Sequence, residues 1–433
     1  MTLFSSWQRC ALALSLLFSL TLAPVRAAEV ISLTLEDALS RAANLNVDVL
    51  IAREAVEQAA AAKLRARGDL LPSLDGNASQ SRSRSGGGIT GNSFSGRLSG
   101  SVALLDIQRL ANYNVQRVAE EAARTGFSQN VQTVLDTVST LYFNHLRNLK
   151  RLDLNRANIE RAEVLLRLAK SQLAAGVATQ IDVTRAEAQL ATEEQQLLQQ
   201  ETVTFNSELI LKRALEIPED AMIEIRDFKA SRAIDATLLD LTGSAVLGSR
   251  LDFTVQQQQL EQNRLEVRAA RYQRVPTISL NAGAGIGSEV FWRGDYNELW
   301  NIGITASVPI FDGGRIESNK RLADSRFRAQ ELRVNNLQRR INDEVRFAVR
   351  DARSRLSQIG VAEKNAALAA EELRLARIRF EQGVADNREI VDAQNKLAAA
   401  NDNLNDAIFQ YNLARLELAR VRGDVRILLG EVE

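Results

Sequence analysis

The chain has 433 residues, with 54 basic and 54 acidic side chains, one histidine and one cysteine. A formal charge of zero argues against a nucleic-acid role. A single histidine excludes a two-histidine zinc site, and a single cysteine excludes a disulfide framework.

The first element is a targeting segment. Arg9 precedes an apolar run from Ala11 to Leu22, followed by Pro24 and small residues. Val25 and Ala27 satisfy the small-residue rule before a cleavage point, so residues 1–27 read as a secretory signal peptide and 28–433 as the mature chain. The run is too short for a spanning anchor. Cys10 falls inside the signal and lacks the small residues that precede a lipidated cysteine, so the mature chain carries no thiol. Loss of Arg9 and Arg26, with no acid, leaves the mature chain near −2.

The mature chain is one unit written twice, at about 34–214 and 244–422. Residues 46–72 align with 250–276, both ending in proline. SVALLDIQRL (101–110) aligns with SVPIFDGGRI (307–316), and residues 168–190 align with 375–397. A period of 204 to 207 residues is a duplication, not a short solenoid repeat. Each unit reads helix, strand, loop, strand, very long helix, glycine, helix.

Residues 34–71 predict a helix, and strands come next over about 72–104. Leu74 and Ala78 oppose Ser73, Asp75, Asn77 and Ser79. Phe94, Leu98, Val102 and Leu104 share a face with Gly96 and Gly100, against Ser93, Ser95, Arg97, Ser99 and Ser101. The second unit predicts helix over 244–274 and strands over 276–310. There Ile278, Leu280, Ala282, Ala284 and Ile286 alternate with polar residues and glycine. Trp300, Ile302, Ile304, Ala306, Val308 and Ile310 do the same against Asn301, Gly303, Thr305 and Ser307. Period-two patterning, apolar outside and polar inside, is the mark of a transmembrane β-barrel; the alternative is a half-buried soluble sandwich. The loops differ. Residues 83–92 are polar and glycine-rich, whereas 288–298 carry Phe291, Trp292 and Tyr296, suited to a membrane-interface girdle. Four strands cannot close a barrel, and lipid does not tolerate open edges. Two chains give eight strands and a filled bore; three give twelve and a wider lumen. The trimer suits a conduit.

From about Arg109 to Ala175, and from about Arg315 to Gln382, there is no proline and little glycine. At ~1.5 Å per residue each helix is roughly 100 Å long. Shorter helices are expected over 180–214 and 387–422. Pairs of short helices end to end match one long helix, which predicts a cylinder of continuous and spliced helices. Val334, Leu337, Ile341, Val345, Ala348, Ala352, Leu356 and Ile359 recur with a mean spacing near 3.6, as in nearly straight packed helices. Between the units, Pro218 stops a helix, and Met222, Ile223 and Ile225 suit a short strand. Residues 215–243 and 424–433 read as a linker layer around the helices.

Gly176-Val177-Ala178 and Gly383-Val384-Ala385 reverse the chain at the end far from the strands. Asp182 and Glu389 each lie six residues past the turn glycine, and Asp392 shares a helix face with Glu389. The alternative reading is exposed acids favoured near a helix N-terminus. Catalytic signals are absent. His145 shares a face with Val138, Tyr142 and Leu149 and reads as packed rather than as the base of a triad. Gly283, Gly285 and Gly287 sit on an alternating strand with no following helix, which is not a dinucleotide site. No cofactor and no metal ligand set is expected.

The duplication, the SVPIFDGGR run (307–315), the TLYFNHL segment (140–146) and the two glycine turns, in this order and spacing, resemble the TolC-like outer-membrane efflux factor family over essentially the whole mature chain. The resemblance implies a long α-helical barrel continuous with a transmembrane β-barrel, four strands per protomer, closed by trimerisation. It implies a passive outer-membrane exit duct that receives substrates from an inner-membrane transporter through a periplasmic adaptor protein. Within the family, the outlet of a type I protein-secretion system is the alternative; outside it, a periplasmic coiled-coil scaffold without a pore. The resemblance further implies that Gly176, Val177, Ala178, Gly383, Val384 and Ala385 form adaptor-docking tips. Asp182, Glu389 and Asp392 then belong to the periplasmic gate, the last two as carboxylate rings that favour cations. Glu389 replaces the family's aspartate. Ala385 replaces a basic residue, which leaves Arg388 as the candidate latch cation.

Overall fold

The computed structural model describes residues 30–84, 86–87, 90–226, 242–382, 384 and 387–427. The expected signal peptide, most of the linker between the units and the last residues of the tail lie outside the described residues. The described elements are β1 (Val30–Leu33), α1 (Leu35–Leu45), α2 (Val47–Gly68), β2 (Ser73–Arg84), β3 (Thr90–Leu105), α3 (Ile107–Ala174) and α4 (Gln180–Ala214). They continue with β4 (Met222–Ile225), α5 (Gly243–Val246), α6 (Leu251–Arg271), β5 (Thr277–Ser288), β6 (Asn297–Ser307), α7 (Arg315–Glu381) and α8 (Asn387–Arg422).

The two long helices run for 68 and 67 residues. Each starts from an aspartate at the same repeat position. The Asp106 carboxylate accepts from Arg109 N at 2.9 Å. Asp312 accepts from Gly314 N at 3.1 Å and Ile316 N at 2.6 Å. Both occupy amide donors that a helix start leaves without partners. The aspartate shared by SVALLD and SVPIFD is therefore a helix cap at a strand-to-helix corner.

Two expected helices are broken. Residues 34–71 divide at Asn46, whose ψ of 134° leaves the helical region. Asn46 accepts from Asp48 N at 2.9 Å and donates from Nδ2 to Ala214 O, also at 2.9 Å. It thereby starts α2 and closes the C-terminus of α4, joining the two end to end. Arg41 reinforces the joint by donating to Leu215 O and Glu216 O at 2.7 and 2.9 Å. The stretch 244–274 divides likewise into α5 and α6, with a short 3-10 turn over Tyr272–Arg274. At that joint Ser249 Oγ donates to Arg422 O at 2.5 Å. Gly423 packs against the Ser249 carbonyl with φ of +106°, where a side chain has no room.

α3 packs against α2 and α4 on one side and against α6 and α8 on the other; α7 packs against α6 and α8. The lateral order is thus the spliced pair α2–α4, then α3, then the pair α6–α8, then α7. The sheet has the same order, β2-β3-β5-β6, antiparallel throughout. Each strand is covalently continuous with its own helix, so strand order and helix order are one fact.

The cores are small and strung along the axis. The middle one gathers Leu33, Leu39, Leu135, Tyr142, Phe143 and Leu211. There β1 pairs in parallel with β4, and Tyr142 donates to Arg226 O at 2.8 Å. The sequence predicts β4 but not its partner β1. Gln132 donates to Asp424 and accepts from Val425 N, which ties the chain after α8 onto α3. On α7 the apolar run is buried at Val334, Ile341, Val345, Ala348, Ala352 and Ile359. Leu356, which the spacing places on that face, is exposed, between buried Ala352 and Ile359.

The strands correct the sequence reading at both ends. β3 carries a bulge: Ala103 pairs with Ser279, and the next pair is Leu105 with Ile278. Leu104 is the inserted residue, so Leu105 takes the register position expected of Leu104. β6 ends at Ser307, and Val308 and Ile310 lie beyond it. Pro309 has no amide to continue the ladder.

Candidate functional site

The site has two ends. At the sheet end, cross-strand pairing places Leu74, Leu98, Ala284 and Ala282 on one face, together with Leu280, Trp300, Ile302 and Ile304. Serine, asparagine and glycine fill most of the other. Paired hydroxyls bridge β2 and β3 there: Ser73 to Ser101 at 2.9 Å, Ser79 to Ser95 at 3.0 Å, and Ser81 to Ser93 at 2.8 Å. At the far edge, Phe94 contacts Phe291 edge to face with 5.0 Å between centroids, and Tyr296 donates to Phe291 O. Gln80 clamps the loop, donating to Glu289 O at 3.3 Å and accepting from Phe291 N at 3.2 Å. Trp292 and Trp300 remain exposed beside this cluster. Large apolar and aromatic side chains with no partner in the protomer suit a lipid boundary.

At the opposite end, the two hairpins α3–α4 and α7–α8 share a core of Leu165, Ala169, Val183, Ala186, Phe380 and Ile390. The reversals use one device. Val177 N donates to Gln172 O and Val384 N to Arg379 O, each at 2.9 Å. Gly176 supplies the left-handed residue with φ of +76°. Val177 and Val384 are 65% and 67% exposed, and Ala178 is half-buried. Gly383 and Ala385 lie outside the described residues.

The three acids have different surroundings. Asp182 is buried and accepts from Thr179 N at 2.9 Å and Thr179 Oγ1 at 2.6 Å. These bonds hold its carboxyl below the usual carboxylate range. Glu389 pairs with Arg379 at 3.1 Å, and Asp392, exposed, pairs with Arg388 at 3.9 Å. Arg388 thus serves an acid on its own helix.

Sequence reasoning missed the bonds that tie the hairpins together. Asn387 Nδ2 donates to Asp182 O at 2.7 Å, and Gln172 Nε2 donates to Phe380 O at 3.2 Å. Farther from the tip, Gln189 donates to Asn395 at 3.0 Å and Gln394 to Arg161 O at 3.3 Å. An amide that joins two hairpins looks in sequence like any other helix amide. His145 is buried with Nδ1 2.8 Å from Ser207 Oγ; desolvation holds its pKa below the ordinary value. Among the described residues no cluster of histidine and carboxylates suits a metal.

A sheet with an apolar outer face, continued by helices of roughly 100 Å, is the geometry of a channel protomer that joins a membrane to a distant partner. A sequence model described as outer membrane efflux protein matches residues 38–215 and 242–424. The chain belongs to that family. Outer membrane protein TolC of Escherichia coli (strain K12) is 24% identical over 382 residues, 83% of this chain and 76% of TolC. The pyoverdine export outer membrane protein OpmQ of Pseudomonas aeruginosa is 26% identical over 408 residues, 88% of this chain and 82% of OpmQ. Among solved structures, CusC superposes with a TM-score of 0.81 at 20% identity, covering 90% of this chain and 92% of CusC. The Campylobacter jejuni CmeC outer membrane channel gives 0.79 at 20% identity, covering 92% and 89%. The protein is an outer-membrane exit duct that reaches into the periplasm, a passive channel rather than an enzyme.

Proposed function

We propose that three copies close head to tail into one conduit, docked at its tips to a periplasmic adaptor that links it to an inner-membrane transporter. The observation that carries this is the pair of unlike open edges. β2 and the α2–α4 pair lie on one side of the protomer; β6 and α7 lie on the other. Unlike edges that meet head to tail form a ring when the rotation closes. Both edges carry apolar side chains without cover: Ile51, Leu64, Leu198 and Phe205 on one, Phe347, Val361, Leu368 and Leu375 on the other. The last three recur every seven residues, the spacing of a packing seam. Three sheets give twelve strands and a lumen wide enough for cargo.

The exposed turns at Val177 and Val384, with Gly176, Ala178, Gly383 and Ala385, are the adaptor-docking tips in this reading. Glu389 and Asp392 line the periplasmic gate, and Asp182 anchors it through its cap and its carbonyl bond from Asn387. Two measurements test the proposal. The protein in mild detergent should have the mass of a trimer, and Phe347→Glu should dissociate it. A monodisperse monomer without detergent overturns ring closure. A photo-crosslinker at Val177 or Val384 should capture the adaptor in cells; efficient export without any such product removes the docking role.

A further inference from the structure

The polar face of the sheet is built in rows. Ser73, Ser101, Asn281 and Gly303 form the row nearest the helices that spans all four strands. Asp75, Ser99, Gly283 and Asn301 form the next. Asn77, Arg97, Gly285 and Leu299 form the third; Ser79, Ser95, Gly287 and Asn297 form the fourth. Over the paired strand positions of these rows, Arg97 and Asp75 are the charged residues; the others are hydroxyl, amide, glycine or apolar. Arg97 is exposed and forms no ion pair among the described residues. Asp75 sits diagonally from it, opposite Ser99, about 7–8 Å away on the backbone scale of such neighbours.

The glycines of β5 within these rows leave little space for a side chain, most strictly at Gly285. A Cβ on Gly285 would collide with Gly96 O and lie 2.9 Å from Arg97 Cα. A Cβ on Gly283 would lie 2.8 Å from Asn301 Oδ1. β5 therefore presents bare backbone next to Arg97, which leaves the guanidinium space over the sheet.

We propose that Arg97 forms a ring of three guanidinium groups in the assembled barrel, which binds multivalent anions and biases the outlet toward anionic cargo. This inference rests on the trimeric reading above. Arginine presents several donors in a fixed planar fork, suited to carboxylate and phosphate oxygens. Three copies at one depth set three positive charges on the lumen wall, which raises the local concentration of counter-ions. Asp75, one row nearer the helices, weakens the preference without cancelling it, because the two charges lie at different depths.

The test uses the full-length trimer in planar bilayers, with pyrophosphate added on the β-barrel side. Wild type should show voltage-dependent block that fades at high salt, as a screened interaction must. Arg97→Ser should lose most of the block and shift the reversal potential in a KCl gradient toward cations. Arg97→Lys should keep part of the block, and Asp75→Asn should strengthen it severalfold. Trimer mass is measured for each variant. Absence of a trimer or of any channel in wild type counts against the assembly. A trimeric Arg97→Ser channel with wild-type block and reversal potential overturns the anion ring alone.

Discussion

Asn387 Nδ2 lies 2.7 Å from the carbonyl oxygen of Asp182, a bond between residues 205 positions apart. It fixes the first turn of α8 to the first turn of α4. Asn387 is fully buried, and its Oδ1 has no partner. This arrangement leaves a buried acceptor without a protein partner, at a cost of about 1–3 kcal/mol. The bond at the tip thus carries a built-in opposing term.

Asn387→Leu removes both the bond and the unsatisfied oxygen. The net change in stability should be small, about 1 kcal/mol either way. Gating should change more, because the tie across the hairpins is gone. Single-channel recordings should show more frequent opening with an intact trimer. Opening statistics equal to wild type would mean that the tie does not oppose opening.

Asp182 gives a pH signature. Its folded pKa is depressed by bonds from Thr179. The capping contribution is therefore complete above the unfolded value of about 3.9 and is lost as pH falls through the lower folded value. Amides at the start of α4 should stay protected down to that range and then exchange faster. Asp182→Ala should remove the pH dependence and cost about 1 kcal/mol, typical of a lost cap. Unchanged exchange in the variant would assign the turn's stability to packing alone.

Gly176 has φ of +76° and open space around a notional Cβ. Gly176→Val should therefore act through backbone strain, about 1–2 kcal/mol, and not through a clash. Trimer and barrel should persist while export falls. Full export at normal protein level would show that this turn does not shape a required contact.

Glu389 and Asp392 pair with arginines at a partly solvated surface, where such pairs contribute at most about 1 kcal/mol. Replacing both by alanine should leave the trimer intact. It should lower cation selectivity and relieve block by trivalent cations added at the tip side. A double variant that keeps both properties would return these acids to the role of ordinary helix-start residues.

Ile304 lies opposite Leu280 on the apolar face, and Ser307 lies opposite Thr277 on the polar one. Ile304→Arg should cost roughly 2–4 kcal/mol if it sits near the bilayer midplane, and Ser307→Arg far less. Equal loss of folded protein from the two substitutions would mean that the faces are assigned the wrong way round.

Elements with local causes are legible in the order of residues alone. Absence of proline and scarcity of glycine make 107–174 and 315–381 continuous helices. Strict alternation fixes which face of β5 and β6 is apolar, because side chains on a strand must alternate. Glycine followed by valine marks the reversal at 176 with no knowledge of its neighbours. Features that depend on a distant partner are settled only by the packed chain. Asn46 breaks a helix because Ala214 O waits 168 residues away, and Ser249 meets Arg422 O in the same way. Leu105 displaces Leu104 in the ladder because β5 sets the register. β1 exists because β4 supplies its hydrogen bonds. Asp182 reads as one more acid near a helix start until the fold shows Thr179 bonded to its carboxylate and Asn387 to its carbonyl. Hydrophobic period and chain-stop residues act over one or two turns, whereas a hydrogen-bond partner is chosen by the whole tertiary structure.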